Sequence, residues 1–364
     1  MRVFLVLGLC VAWLGNAHAQ SLETSQGQIR VETMATGLDE PWAVDILPDG
    51  SFLVTERAGR LLRFVDEKPV DVHGLPAIEA HGQGGLLDIT VARDFAQSRE
   101  LFLTYASKSW RKNATTVAVA RLSKDGRRLE NLRELFKAEP ASFEGRHYGS
   151  RVVEAPDGSL FVTLGERGDR PSAQDLGSHN GTVIRITRDG KPYRHNPFLG
   201  RRNAQPEIWS YGHRNAQGAA LDLDGRLWIV EHGAKGGDEV NRIRQGANYG
   251  WPVIAFGKHY SGAKIGEGTH KDGMEQPDFY WDPSIAPSGM MIYSGKLWPD
   301  WRGDIFVGSL KFHYISRLKG APLREVEQIK NRRTRRVRDI IEAPDGSIWF
   351  ISVGNGAVYR MAPG

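Results

Sequence analysis

The chain has 364 residues, of which 40% are hydrophobic and 25% charged, with 42 glycines, one cysteine and a formal net charge of +5. That is the balance of an ordinary soluble globule with many turns. The mild positive excess suits an anionic ligand but does not by itself point to nucleic acid.

In chain order, the first element is an export signal. Arg2 precedes the apolar run Val3 to Leu14, and Ala17-His18-Ala19 supplies a small-x-small cleavage pattern, with Gln20 as the expected new N-terminus. The run is too short to anchor the protein in a membrane. Cys10 lies inside it, so the expected mature chain, residues 20–364, forms no disulfide. A bacterial periplasm is the expected location.

The segment Ile29 to Thr36 is extended in character. A unit then recurs: an apolar approach, an Asp-Gly turn, a β-rich strand, a polar loop and a strand ending in Arg-apolar. The first copy has Asp49-Gly50, Phe52-Leu53-Val54 and Leu62-Arg63-Phe64. A second, without the clean turn, pairs Leu101-Phe102-Leu103 with Ala120-Arg121-Leu122. The third has Asp157-Gly158, Leu160-Phe161-Val162 and Ile184-Arg185-Ile186; the fourth has Asp224-Gly225, Leu227-Trp228-Ile229 and Asn241-Arg242-Ile243. The fifth, again without the turn, pairs Ile305-Phe306-Val307 with Ser316-Arg317-Leu318, and the last has Asp345-Gly346, Ile348-Trp349-Phe350 and Tyr359-Arg360-Met361. Short strands joined by such turns form antiparallel hairpins. Six similar sheets predict an all-β, six-bladed β-propeller over residues 20–364, with Ile29 to Thr36 completing the last blade. A pair of β-sandwiches is the alternative, but it does not require the same Arg-apolar ending six times.

In a propeller, the loop before each inner strand and the loop joining the second and third strands open on one rim. Polar residues cluster at those places: Gln83, His147, Arg214-Asn215, and Arg336 with Arg338 in the first kind, and Glu166, Glu231-His232-Gly233 and Lys311 in the second. Charged groups are rarely buried without partners. Four blades offering cations or amides to one axis imply an anionic, acceptor-rich ligand in the central channel. Of the basic run Lys330 to Arg338, only Arg336 and Arg338 are assigned to the site; Lys330, Arg332, Arg333 and Arg335 are expected to face solvent. No dinucleotide fingerprint appears in a strand–helix context, against a nicotinamide cofactor.

These residues stand in motifs that resemble the soluble aldose sugar dehydrogenases dependent on pyrroloquinoline quinone (PQQ), and more distantly the soluble glucose dehydrogenases. The motifs are Gly82-Gln83-Gly84-Gly85, His147-Tyr148-Gly149-Ser150-Arg151, Gly212-His213-Arg214-Asn215, Glu231-His232-Gly233, Gly237-Asp238-Glu239 and Val337-Arg338-Asp339. The resemblance implies oxidation of the C1 hydroxyl of an aldose sugar to a lactone, with hydride transfer to PQQ. It implies His147 as general base, Glu166 as the carboxylate that orients it, and Arg214 facing the oxygen where charge grows. It implies Gln83, Asn215, Lys311, Arg336 and Arg338 as cofactor contacts, Trp281 as an aromatic neighbour of the quinone, and His232 at the pocket edge. Calcium (Ca2+) is implied at the backbone of Gly233 and Ala234, and a second calcium at Glu239 and the carbonyl of Tyr249. His259 stands where the glucose enzymes offer a carboxylate to that second ion.

Electrons are expected to pass to a partner that is neither nicotinamide nor oxygen; nucleic acid is not an expected partner. The family's members often form homodimers, and no residue pattern fixes the oligomeric state. A calcium-dependent lactonase or esterase and a non-catalytic binding propeller are the competing readings. The mainly cationic rim disfavours the former, and the conjunction of a histidine, a carboxylate and arginines disfavours the latter.

Overall fold

The repeating unit folds as an antiparallel sheet, and six such sheets close a ring. The computed structural model describes residues 20–364; the expected signal segment lies outside the described residues. Blade 1 runs from Pro41–Ile46 to Lys68–Asp71, blade 2 from Leu86–Val91 to Leu129–Lys137, and blade 3 from Val152–Glu154 to Ile208–Tyr211. Blade 4 runs from Ala216–Leu221 to Phe279–Trp281, and blade 5 from Pro287–Ile292 to Arg324–Ile329. Blade 6 takes Val337–Glu342, Ile348–Ser352 and Ala357–Pro363 from the C-terminal end, then Gly27–Ala35 and Gln20–Thr24 from the N-terminal end. Ile29 pairs with Pro363 and Val31 with Met361, so the predicted closure is borne out; the extra edge strand Gln20–Thr24 was not foreseen. The first strand of each blade contacts the first strands of both neighbours, closing the inner wall.

The period-two alternation of strands explains how blades stick together. In blade 1, Leu53 and Leu61 face blade 2, packing with Leu101 and Leu103, while Phe52, Val54 and Leu62 face blade 6, packing with Trp349 and Ile351. An apolar cluster of this kind fills each of the six gaps between blades.

The repeated Asp and Arg serve one another. In blade 1 the Arg63 guanidinium donates to the Asp49 carboxylate at 2.6 Å and to the Ser51 hydroxyl at 3.0 Å. Arg185 does the same with Asp157 and Ser159, and Arg360 with Asp345 and Ser347. The third strand is thereby tied to the turn between the first two. Blade 5 lacks the turn but keeps the bond, with Arg317 on the buried Asp304 at 2.5 Å. In blade 4, Arg226 replaces the serine and takes the turn carboxylates for itself, and Arg242 instead lies 6.0 Å from the Trp228 ring.

A second set of carboxylates staples blades across the ring. Asp45 of blade 1 accepts the Val91 N–H of blade 2, Asp88 of blade 2 accepts Val152 N–H of blade 3, and Asp339 of blade 6 accepts Val44 N–H of blade 1. Arg151 bridges Asp88 and Asp339 at 2.9 and 2.8 Å across the axis. Backbone donors and the arginine offset part of the cost of burial, which still pushes the Asp45 carboxyl up to about 7 and that of Asp88 up to about 6.

Candidate functional site

The loops that precede the inner strands meet those that join second to third strands, as predicted, on one rim. The loop from blade 2 to blade 3 carries His147 in the left-handed region, at φ +54°, followed by Gly149 at +64° and Ser150 at +98°. Such conformations cost roughly 1–3 kcal/mol at a non-glycine residue and persist only where surroundings enforce them. Here the Gln83 side-chain oxygen accepts the His147 N–H at 2.8 Å, Ser150 N–H donates to the Thr163 carbonyl at 2.6 Å, and Asn215 Oδ1 accepts Gly149 N–H at 3.1 Å. Gly165 must lack a Cβ, because one would meet the His147 carbonyl.

His147 Nδ1 lies 2.9 Å from Glu166 Oε2, and the Glu166 side chain is 1% exposed. The carboxylate selects the Nδ1–H tautomer, leaving the Nε2 lone pair free. Burial lowers the affinity of His147 for a proton; Glu166 raises it and Arg214 lowers it, with a net pKa below the ordinary 6.5. Burial opposes ionisation of Glu166, but His147, the Gly168 N–H and Arg214 outweigh it and hold the carboxyl below its usual range. The imidazole is therefore neutral, and its orienter charged, at neutral pH.

Arg214 reaches the site from the link between blades 3 and 4. Its carbonyl accepts the Glu166 N–H at 3.0 Å, and its own N–H donates to Glu231 Oε2 at 2.7 Å. Glu231 Oε1 in turn meets His213 Nδ1 at 2.9 Å and the Asn241 amide at 3.2 Å. Glu231 is thus a buried clamp under Arg214. The Arg214 guanidinium donates to the His232 carbonyl at 3.2 Å, and among the described residues its Nε has no hydrogen-bond partner. His232 Nε2 is likewise buried and unpartnered. Burial, with Arg214 and Arg338 nearby, pushes the His232 pKa down to about 3, so it is neutral.

Beside them lies a cavity of about 300 Å³ lined by Trp42, Arg57, Gln83, Asn215, Gln217, His232, Arg336 and Arg338. It shares His232, Leu310 and Arg336 with a wider mouth of about 840 Å³ that also holds Lys311. Burial, Arg151 and Arg336 lower the Arg338 pKa to about 9; the side chain donates to Gln217 at 3.1 Å. A cation so destabilised favours an anionic ligand.

The glucose/sorbosone dehydrogenase family model matches residues 38–360. The chain belongs to that family. Aldose sugar dehydrogenase YliI of Escherichia coli (strain K12) is 38% identical over 99% of this chain and 98% of its own length. The solved apo-form structure of the soluble aldose sugar dehydrogenase from Escherichia coli superposes with a TM-score of 0.88 at 38% identity, over 92% of this chain and 100% of that one. The PQQ-bound aldose sugar dehydrogenase from Streptomyces coelicolor gives a TM-score of 0.74 at 26% identity, over 91% and 98%. Membership of the glucose/sorbosone dehydrogenase family makes the chain an oxidoreductase.

The dehydrogenase fold gathers His147, Glu166 and Arg214 in one place, and Gln83, Asn215, His232, Lys311, Arg336 and Arg338 around two connected cavities. Trp281 is not among them. It lies on the outer strand of blade 4, packed against Phe279 at 4.9 Å and donating to Glu325 at 3.3 Å, and lines neither cavity. Its neighbours Asp282, Pro283 and Ser284 reach the mouth instead. Gly233, Ala234, Glu239 and Tyr249 line a third, small space of about 10 Å³, together with Glu231, Arg214 and His232. Among the described residues, no three His, Cys, Asp or Glu side chains gather as a metal site. His259 bonds to Arg170 at 3.0 Å. Arg333, expected in solvent, instead meets the Val31 carbonyl and sits 5.4 Å from the Tyr359 ring.

Two contributors escaped the sequence reading. Trp42 and Arg57 of blade 1 line the deeper cavity. Arg57 follows the second strand, Phe52–Glu56, as Glu166 follows Leu160–Thr163, and that placement was the available signal. Asp238 accepts Ile285 and Ala286 N–H at 2.8 and 3.1 Å and Gly233 N–H at 2.9 Å, fixing the mouth of the site.

Proposed function

We propose that this protein oxidises the C1 hydroxyl of aldose sugars to lactones with PQQ. The observation that carries the reading is a neutral imidazole, held at Nδ1 by a buried carboxylate with Nε2 left over, beside a cavity lined by cations. His147 Nε2 accepts the proton of the C1 hydroxyl, a role needing a base that is unprotonated at working pH. Glu166 keeps the ring oriented and stabilises the imidazolium formed. Arg214, gripped by Glu231, presents a fixed guanidinium to negative charge that develops in the transition state.

The chemistry of the pocket's donors supports PQQ as its ligand. The orphaned Arg214 Nε and His232 Nε2, and the weakened hold of Arg338 on its proton, suit a ligand rich in carboxylates. Arg336, Arg338 and Lys311 would bind its carboxylates, with Gln83 and Asn215 at its edge. Bound there, PQQ supplies the acceptor for the hydride leaving C1. One calcium would be held by the backbone carbonyls of Gly233 and Ala234, and a second by Glu239 and the Tyr249 carbonyl, all of which line the same small space. Burial and Glu231 push the Glu239 carboxyl up to about 8, a penalty that a divalent cation removes. The ion at Gly233 and Ala234 would supply Lewis-acid polarisation.

Export to the periplasm through residues 1–19, and delivery of electrons to an acceptor other than nicotinamide or oxygen, complete the proposal. Among the described residues no helix is long and apolar enough to cross a membrane.

The test adds PQQ and calcium to purified apoprotein with glucose and an electron-accepting dye. Dye reduction dependent on both additions is expected. Absence of PQQ binding at micromolar levels would overturn the proposal.

A further inference from the structure

The mouth of the site carries more positive charge than the deeper cavity accounts for. Lys235 and Lys258 face each other across an antiparallel bridge, exchanging backbone bonds of 2.9 and 3.3 Å. Directly opposed residues hold their Cβ atoms about 4.5–5.5 Å apart, and like charges so placed repel. Both lysines are exposed and line the mouth. Among the described residues, the lysines that form ion pairs are Lys191 with Asp189 and Lys271 with Glu267, not these two.

Lys311 and Arg336 line the same space, and Asp282 is its single carboxylate. The field is felt locally: burial, Arg335, Arg336 and Lys330 hold the His313 imidazole below its ordinary pKa. Tyr260 adds a 75%-exposed ring to the same wall, on the loop that Arg170 pins through His259. A polar-rimmed aromatic beside opposed lysines matches a sugar ring that bears negative charge.

We propose that this mouth selects aldoses carrying an anionic group, a carboxylate or a phosphate ester, through Lys235 and Lys258, with Tyr260 against the sugar ring. The inference rests on the dehydrogenase reading above and names its preferred substrate class. Unpaired like charges at a concave entrance concentrate anions and raise encounter rates in a salt-dependent way.

The experiment uses PQQ- and calcium-loaded enzyme with glucose, glucuronate and glucose 6-phosphate at low and high salt. At low salt, kcat/KM for an anionic sugar exceeds that for glucose, and the advantage shrinks as salt rises. Glucuronate and glucose 6-phosphate, measured side by side, tell carboxylate from phosphate preference. In the double variant Lys235→Gln/Lys258→Gln, kcat/KM for the preferred anionic sugar falls about tenfold, while that for glucose and the affinity for PQQ hold. Calorimetric binding of the anionic sugar weakens in parallel.

Equal or better use of glucose by the wild type at low salt overturns the inference while leaving the dehydrogenase reading intact. So does a variant that loses PQQ affinity, since the lysines would then serve the cofactor. Failure to oxidise any aldose with PQQ bound removes both.

Discussion

The two mouths of the central channel carry opposite charge, but the deeper difference between them is pairing. The mouth away from the site is a cavity of about 330 Å³ lined by Asp45, Asp88, Glu154, Asp339 and Glu342, with Arg93 and Arg151. Every one of those carboxylates is engaged. Asp88 and Asp339 hold Arg151, Asp45 accepts two backbone N–H groups at 2.6 and 2.7 Å, Glu154 accepts Arg93 N–H at 2.7 Å, and Glu342 accepts Ser294 N–H at 2.8 Å. On the site rim, among the described residues, Arg214 Nε and His232 Nε2 lack hydrogen-bond partners, and Arg338 donates to an amide and lies near a ring without an ion-pair contact. Trp42 stands between the two regimes, 4.3 Å from the Arg151 guanidinium and 5.8 Å from that of Arg338. Satisfied charge builds the ring; unsatisfied charge waits for a ligand.

The largest effect belongs to the site. His147→Ala lowers dye-linked turnover by about 10²–10⁴-fold, the usual worth of a positioned general base, with PQQ affinity retained. Turnover close to wild type would remove His147 from the chemistry. Next comes Arg151→Met, which leaves Asp88 and Asp339 buried without their cation and costs about 3–5 kcal/mol in denaturant unfolding. Arg338→Met is its counterpart across Trp42. It leaves the stability of the ligand-free protein equal or higher and weakens PQQ binding by about tenfold or more, as loss of a charge-assisted hydrogen bond does. If the two arginines behave alike in unfolding, the contrast drawn between the mouths is wrong.

A smaller effect concerns pH. The folded protein holds the His147 pKa below 6.5, so the base stays neutral as pH falls through 6.5 and becomes protonated only further down. The acid limb of kcat/KM for glucose should therefore lie below 6.5, and a limb at or above it contradicts the burial described. The same depression means that stability contributed by neutral His147 is present above 6.5 and declines as pH drops below it. Smallest is Arg63→Met, which unties a third strand from its turn at about 1 kcal/mol and leaves activity untouched.

Much of this was legible in the residues because it repeats. Asp49 with Arg63, Asp157 with Arg185 and Asp345 with Arg360 are hydrogen-bonded pairs, so their recurrence records a bond needed in each blade. The site residues stood out as polar and charged groups in loops that open on one rim, where packing offers no reason for them. What stayed hidden depends on three-dimensional partners. Glu231 reads as a rim residue, yet it lies beneath Arg214 and grips its N–H. Trp281 reads as a ring for the cofactor, yet the apolar gap between blades 4 and 5 claims it. Arg333 reads as solvated within a basic run, and the chain's fold turns it onto Val31. A run of like residues gives no sign of which members turn inward.

The most direct test is a crystal structure of the protein soaked with PQQ and calcium. PQQ should lie in the deeper cavity with its carboxylates in ion-pair reach of Arg336, Arg338 and Lys311, and its quinone end beside Arg214 and His147. PQQ bound instead at the carboxylate-lined mouth, or density only on the outer surface, would contradict the account.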